Sequence, residues 1–330
     1  MLVVGSNGVG KTNLLEAVHV ATQGFSPRTR TDSQVVRFGA EGARAAVTGR
    51  RGEVGLELEV TVRKGEGKRG RLNGAPLRAA EQLRGTVSTL VFTPDRLGVV
   101  KGPPAARRAY FDRVLARFAP ARAPLPAEYG AVVAQRNAAL RRVAVGASSR
   151  DAVEPWSERV ALLGADLVAA RLETLVLLEP PFAARADEFG LGDVSLRYQG
   201  EPPTLEALAA ALERDLDRGV TSLGPHLDDV VIAAGGRDLR SFGSQGEQRL
   251  ALLALLLAEA ETIVERTGVP PLLLLDDVLS ELDPGRRTIL AARVRSAGQA
   301  LVTATDPSLL PATPDQLLEV TPGDVLEAAA

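Results

Sequence analysis

Cysteine is absent from the 330 residues, and histidine occurs only twice, at His19 and His226. The first absence excludes disulfides, thiolate metal sites and thiol nucleophiles, and the second leaves too little imidazole for a histidine-rich metal centre. A reducing interior fits this composition, so the expectation is a cytoplasmic enzyme without bound zinc. No basic-then-apolar leader signal opens the chain, and the longest apolar run, Leu250–Ala258, is too short to span a bilayer. There is no internal repeat, no low-complexity tract and no Asn-Lys-x-Asp base-reading sequence, which argues against a GTPase. No helical pattern runs beyond about three heptads, which argues against a chromosome-structuring head with a long coiled coil.

With 45% hydrophobic residues the chain can bury a substantial core, as two domains or one large interrupted one. Its most informative stretch comes first. Gly5-Ser6-Asn7-Gly8-Val9-Gly10-Lys11-Thr12 follows the apolar Leu2-Val3-Val4 and precedes Asn13-Leu14-Leu15-Glu16-Ala17-Val18, which has the apolar spacing of an amphipathic helix. Strand, glycine-rich loop and helix in this order make a phosphate-binding loop. The glycines let successive N–H groups and the positive helix end converge on a triphosphate. Lys11 is expected to reach the β- and γ-phosphates, and Thr12 to hold Mg²⁺.

The second half of a nucleotide site lies far downstream. Leu272-Leu273-Leu274-Leu275 closes on Asp276-Asp277, and a continuous apolar run ending in carboxylates reads as a buried parallel strand with its ligand end outward. Asp276 is the candidate Mg²⁺ ligand and Asp277 the group that orients or deprotonates the attacking water. Ser244-Gln245-Gly246-Glu247-Gln248-Arg249 opens another helix, with a serine cap and a glycine permitting close approach. A chain with its own phosphate loop needs no second anion site for the same nucleotide, so Ser244, Gln245 and Gly246 would serve a partner's.

Between these segments, Val54–Val62 alternates as a half-buried strand, Arg63–Arg71 reads as a basic hairpin tip, Asn73-Gly74 as a turn and Thr86–Phe92 as a strand. Gly24–Arg30 reads as a loop. From residue 101 the pattern is helical, with helices expected over Ala105–Phe118, Glu128–Val145, Trp156–Leu178 (stopped by Pro180-Pro181) and Thr204–Arg218. Val194–Tyr198 reads as a short strand, and Val230–Ala233 with Arg237–Arg240 as a hairpin through Gly235-Gly236. The net charge of −2 hides an asymmetry: residues 101–150 carry ten basic side chains against two acidic ones. Such a block suits nucleic acid or another polyanion, and Arg107, Arg108, Arg141 and Arg142 are the candidate contacts.

The serine-capped motif resembles the signature of ABC-type ATPases, whose heads trap ATP between two protomers, and Ser280-Glu281-Leu282-Asp283 matches their D-loop. With Phe92-Thr93-Pro94-Asp95, Lys101-Gly102-Pro103-Pro104-Ala105-Ala106-Arg107-Arg108, Gly224-Pro225-His226 and Leu274 through Asp283, the chain resembles the RecF family of bacterial recombination mediator ATPases over essentially its whole length. The resemblance implies an α/β ABC-type ATPase head, at residues 1–100 and 225–330, with an antiparallel β subdomain and an inserted all-helical arm at 101–224. It further implies an ATP-dependent homodimer on DNA, recognition of gaps or single-strand/double-strand junctions, and cooperation with RecR and RecO in loading RecA.

Some positions depart from the pattern. Leu227 stands where the family usually has Arg, and no Gln marks the expected Q-loop at Thr93–Asp95. Thr305 takes the place of the switch histidine of transporter-type ATPases, which predicts slow turnover. The nucleotide-binding subunit of a membrane transporter would share the loop, signature and acidic strand, but would want that histidine and a shorter, less basic insertion. Finally, only Met1–Val4 precede the phosphate loop, whereas such heads place a strand or hairpin ahead of it. The expectation is a chain that starts late, with strand 54–62 left unpaired on one side.

Overall fold

The structure, a computed structural model, describes residues 1–29 and 31–328, and for Asp95 and Ala328 the backbone alone. Arg30, at the end of the expected loop, and the side chain of Asp95 therefore lie outside the described residues. The chain forms two compact units, residues 1–96 with 263–330 and residues 97–262.

The first unit is built on a six-stranded sheet. In spatial order it runs β13 (Asp324–Ala328), β12 (Leu317–Thr321), β1 (Leu2–Val4), β11 (Ala300–Ala304), β10 (Leu272–Leu275) and β6 (Thr89–Phe92). All are parallel except the edge strand β13, which returns from β12 as a hairpin. Parallel strands are covered on both faces, so each reads as a run of apolar residues; Leu2, Val3, Leu273, Leu274 and Leu275 are wholly buried. Helix α1 (Lys11–Gln23) seats Leu15 against Val91, Leu274 and Leu301, and α10 (Pro284–Ser296) buries Leu290 and Ala291. The very first strand is thus central, between β11 and β12, and its C-terminal end aims the glycine loop.

A second sheet, β2 (Gly42–Arg51), β3 (Val54–Arg63), β4 (Gly67–Leu72) and β5 (Ala75–Pro76), is antiparallel in that order. The expectation that strand 54–62 lacks a partner is wrong. β3 is paired along its length with β2 and, over residues 58–63, with β4, burying Leu58, Val60 and Val62 against Val20, Ala80 and Leu83. β2 escaped notice because Gly-Ala-Arg-Ala-Ala-Val-Thr-Gly-Arg-Arg carries few β-branched or aromatic residues. The basic hairpin tip shrinks to residues 64–66, because Gly67–Leu72 is strand. Asn73 and Gly74 both take positive φ (49° and 78°), as a two-residue hairpin turn requires.

The second unit holds the helices. A single turn α2 (Gly98–Lys101) leads into α3 (Pro104–Phe118), α4 (Leu125–Ala144) and the 35-residue α5 (Glu154–Glu188). These pack through Leu115, Tyr129, Val132, Val133, Val160, Leu167 and Ala170. Pro180-Pro181 does not stop α5, contrary to expectation. The carbonyls that lose their donors belong to Val176 and Leu177, on the exposed side where water can replace the missing N–H groups. The segment 204–218 is two helices, α6 (Leu205–Ala210), capped by Thr204, and α7 (Leu212–Arg218). Strands β7 (Val194–Gln199), β8 (Asp229–Ala234) and β9 (Arg237–Asp238) form a small antiparallel sheet, after which the chain makes a turn α8 (Leu239–Phe242) and enters α9 (Gln245–Thr267). Among the described residues no helix is long and apolar enough to cross a membrane.

A wholly buried ion pair pins the helical unit. Arg136 Nη1 donates to Asp215 Oδ2 at 2.7 Å and to Thr221 Oγ1 at 3.0 Å, and its Nε to Ser157 Oγ at 2.9 Å. Asp215 Oδ1 accepts from the Ser222 amide, and Asn137 Oδ1 from the Thr221 amide. Removing one member of such a pair leaves the other charged and dry. Arg136→Ala is therefore expected to lower unfolding free energy by about 3–5 kcal/mol in urea denaturation; a loss below about 1 kcal/mol, the scale of an exposed pair, would contradict the dry pairing.

Candidate phosphate-binding and catalytic site

The loop after β1 can be made only with glycine at its crowded and left-handed points. A Cβ on Gly5 would sit 2.6 Å from the Val320 carbonyl oxygen, and Gly8 and Gly10 have φ of 80° and 119°. α1 begins at Lys11 with no side-chain cap, so the amides of its first turn are left for an anion. Lys11, only 7% exposed, folds back and donates from Nζ to the carbonyls of Gly5 (2.7 Å) and Ser6 (3.0 Å). Asn7, Gly8, Gly10, Lys11, Thr12, Asn13, Arg28, Asp276 and Asp277 line a cavity of about 230 Å³. The expected loop and acidic residues thus meet.

Two hydroxyls fix Asp276, itself 6% exposed: Thr12 Oγ1 donates at 2.9 Å to Oδ2, and Thr303 Oγ1 at 2.8 Å to Oδ1. Asp277 departs from the strand with φ of 49°, unusual without glycine; its N–H donates to Thr303 Oγ1 at 2.8 Å, and its Oδ1 is a buried acceptor with no partner among the described residues. Beyond it, Ser280 Oγ donates to the Asp277 carbonyl, and Asp283 caps α10 by accepting from the Arg286 amide, which holds its carboxyl below the usual range.

These residues fit a magnesium nucleotide. A hydroxyl and a carboxylate 2.9 Å apart are hard oxygen donors, and no group of three His, Cys, Asp or Glu among the described residues forms a cage that would select another metal. Mg²⁺ is held in this sparing way when phosphate and water complete its shell.

At the start of α9, Ser244 and Glu247 form a reciprocal cap: the Ser244 N–H donates to Glu247 Oε2 at 2.7 Å, and the Glu247 N–H to Ser244 Oγ at 3.2 Å. That contact holds the Glu247 carboxyl below its ordinary pKa. Ser244, Gln245 and Gly246 are exposed on the helix end, while Gln248 is buried and donates to the Leu239 and Gly243 carbonyls.

The basic block does not survive intact. Arg107, 2% exposed, grips Asp229 through two nitrogens and donates to the carbonyls of Val100 and Gly102. It cannot reach a DNA phosphate, and the expectation that it does is corrected. Arg108 is half-buried, donates to the Asp228 carbonyl at 2.6 Å, and has a pKa lowered by burial. Arg141 and Arg142 are exposed, although Arg141 also donates to the Gly219 carbonyl. Five of the ten cations, Arg107, Arg117, Arg122, Arg136 and Arg150, pair with Asp229, Glu259, Glu173, Asp215 and Glu213, all outside the 101–150 window.

Both histidines are structural. His19 is buried edge-on to Phe25 and bonded to its carbonyl. His226 accepts from Tyr129 at Nδ1 and donates to the Thr221 carbonyl, and burial lowers its pKa, which favours this neutral form.

Two participants escaped the sequence reading. Thr303 carried a faint signal, a polar residue inside the buried run Ala300–Ala304. Arg28 lies in a loop whose proline and glycine suggested only a connection. Its Nη1 donates to Glu16 Oε2 (3.1 Å) and approaches Asn13 Oδ1 (3.4 Å), while Ser26 Oγ donates to the other Glu16 oxygen and accepts from the Arg28 and Thr29 amides.

Comparison with known proteins converges on one group. A profile of the RecF/RecN/SMC N-terminal domain family matches residues 1–325. The chain is 39% identical over 324 residues to the DNA replication and repair protein RecF of Symbiobacterium thermophilum, covering 92% of this chain and 85% of that one. Against RecF of Kineococcus radiotolerans it is 39% identical over 341 residues, covering 92% and 86%. A solved structure of the recombination mediator protein RecF with ATP, from the RecFOR pathway, matches with a TM-score of 0.89 at 27% identity, over 99% of this chain and 91% of that one. An Smc head domain from Pyrococcus furiosus shares the fold, with a TM-score of 0.58 at 17% identity, over 99% and 89%.

The geometry gives Lys11 and Asp277 different expected roles. Lys11→Ala removes the cation folded over the loop and is expected to abolish ATP binding in a fluorescent-nucleotide titration. Asp277→Asn should leave affinity within about threefold and slow phosphate release by at least about 100-fold. Hydrolysis by Asp277→Asn at the parental rate would show that this carboxylate takes no proton.

Proposed function

The chain belongs to the RecF family of DNA replication and repair proteins, and on that premise we propose that it is a slow, DNA-stimulated ATPase that dimerises on ATP and acts as a recombination mediator. In this reading it recognises gapped or junction DNA and, with RecO and RecR, helps load RecA in cytoplasmic DNA repair, replication and the SOS response. The observation that carries the ATPase part is the Thr12–Asp276 hydrogen bond, which brings the phosphate loop and the acidic strand into one cavity.

The chain's own groups account for the steps. An arriving phosphate exchanges its oxygens for the Gly5 and Ser6 carbonyls on Lys11, and the uncapped start of α1 adds its amides. Thr12 and Asp276 would hold Mg²⁺, which neutralises phosphate charge when bound. The free Oδ1 of Asp277 accepts a proton from the attacking water. Thr305, exposed past the end of β11, supplies no imidazole for the γ-phosphate, which suits slow turnover.

Ser244, Gln245 and Gly246 are assigned to the partner protomer's nucleotide. On this account the functional head comprises residues 1–100 and 225–330 and the arm 101–224, so the head takes in residues 244–246, which fall in the second compact unit. Ser244→Arg places a bulky cation at that helix end. Monomers of this variant should bind ATP as the parent does yet fail to dimerise with it; an ATP-dependent dimer by light scattering would rule out the face-to-face arrangement.

For DNA, the exposed pair Arg141 and Arg142 replaces the original set of four. Changing both to Ala should lower the slope of log K against log salt for a duplex by up to roughly two units, about one per lost phosphate contact. An unchanged slope in the folded double variant would return these side chains to a solvated helix face.

A further inference from the structure

We infer that Thr303 is the positioning residue for both carboxylates of the acidic strand, through one hydroxyl that donates to one of them and accepts from the amide of the other. The inference rests on the assignment of Asp277 as proton acceptor made above.

Thr303 is wholly buried on β11, the strand paired with β10 in the register Leu275↔Val302. Past Leu275 the ladder ends on this side. The Asp276 N–H turns to β6, donating to the Phe92 carbonyl at 2.9 Å, while Asp277 swings into a left-handed conformation. Its N–H then has no strand carbonyl to meet and finds the Thr303 oxygen at 2.8 Å. Because that oxygen already accepts, its own proton goes to Asp276 Oδ1, also at 2.8 Å. One hydroxyl therefore closes two bonds, and the two together could not be made by a side chain that only donates or only accepts.

Each bond sets a different part of the chemistry. The bond to Oδ1, with Thr12 on the opposite oxygen, fixes the rotation of the Asp276 carboxylate. The bond from the Asp277 N–H offsets the cost of a left-handed peptide at a residue that is not glycine, and it is this peptide that directs the unpaired Oδ1. A buried β-branched residue would suit β11 equally well as valine, so packing alone does not ask for a hydroxyl here. Groups that orient ligands and bases in this way are worth about 10–100-fold in activity.

The test compares Thr303→Val and Thr303→Ala, which remove the hydroxyl, with Thr303→Ser, which keeps it. Turnover in the two hydroxyl-free variants should fall about 10–100-fold, with affinity for a fluorescent ATP analogue within about threefold, and Thr303→Ser should stay within about threefold of the parent in both. In the nucleotide-free protein, amide hydrogen exchange on a peptide covering residues 272–282 should quicken at Asp277 by at least about tenfold without the hydroxyl and stay slow in Thr303→Ser. Parental turnover and parental exchange in whichever hydroxyl-free variant melts as a folded protein would overturn the inference. Asp277→Asn, measured alongside, keeps the two assignments apart. Its parental turnover would remove the proton-acceptor role on which the inference rests, whereas an inactive Asp277→Asn beside a fully active Thr303→Val overturns the role of Thr303 alone.

Discussion

The carboxylate of Asp276 is the contact on which the nucleotide site depends. It accepts from Thr12 across 264 positions of sequence and from Thr303 across 27, joining the first helix to the acidic strand and its neighbour. The sheet makes the same long closure, since β1 lies between two strands from the last tenth of the chain. The loop at residues 5–12 cannot be aimed until β11 and β12 are in place, because its entering strand has no earlier partner in the sheet. Site assembly is thereby coupled to the slowest kind of contact, non-local parallel pairing.

Charge in space differs from charge in sequence. Half of the cations in the 101–150 block find carboxylates elsewhere in the helical unit, and the unit's cations are outnumbered by carboxylates, 19 to 22. The arginines brace helices against one another: Arg171 grips Asp112 with two nitrogens and reaches the Pro225 carbonyl with a third. A planar, permanently charged fork suits such buried pairing better than lysine, and lysine is scarce in this chain. The exposed basic surface is accordingly smaller than the block suggested.

The site was legible where chemistry constrains residue type. Glycines forced by positive φ or a 2.6 Å approach, a lysine and threonine at the helix start, and an apolar strand closing on two aspartates leave a pattern that fold and packing cannot mimic. Elements set by pairing rather than by local preference were less visible. β2 is a strand because β3 offers it ten residues of register, despite its alanines and arginines, and α5 crosses two prolines because the freed carbonyls face solvent. β12 and β13 went unread for the same reason, their short segments gaining definition only beside β1. Thr303 gave only a faint signal, because a threonine in a buried strand is ordinary until the two groups it bonds are known. The unpaired edge expected at residues 54–62 failed for want of β2.

The account's central claim is that this chain converts ATP binding into self-association. Sedimentation velocity of the parental protein without nucleotide, with ADP and Mg²⁺, and with ATP and Mg²⁺ tests it most directly. The account predicts a monomer in the first two conditions and a dimer in the third, shifted further toward dimer by a gapped duplex. The same sedimentation coefficient in all three, at protein concentrations where ATP binding is saturated, would contradict it.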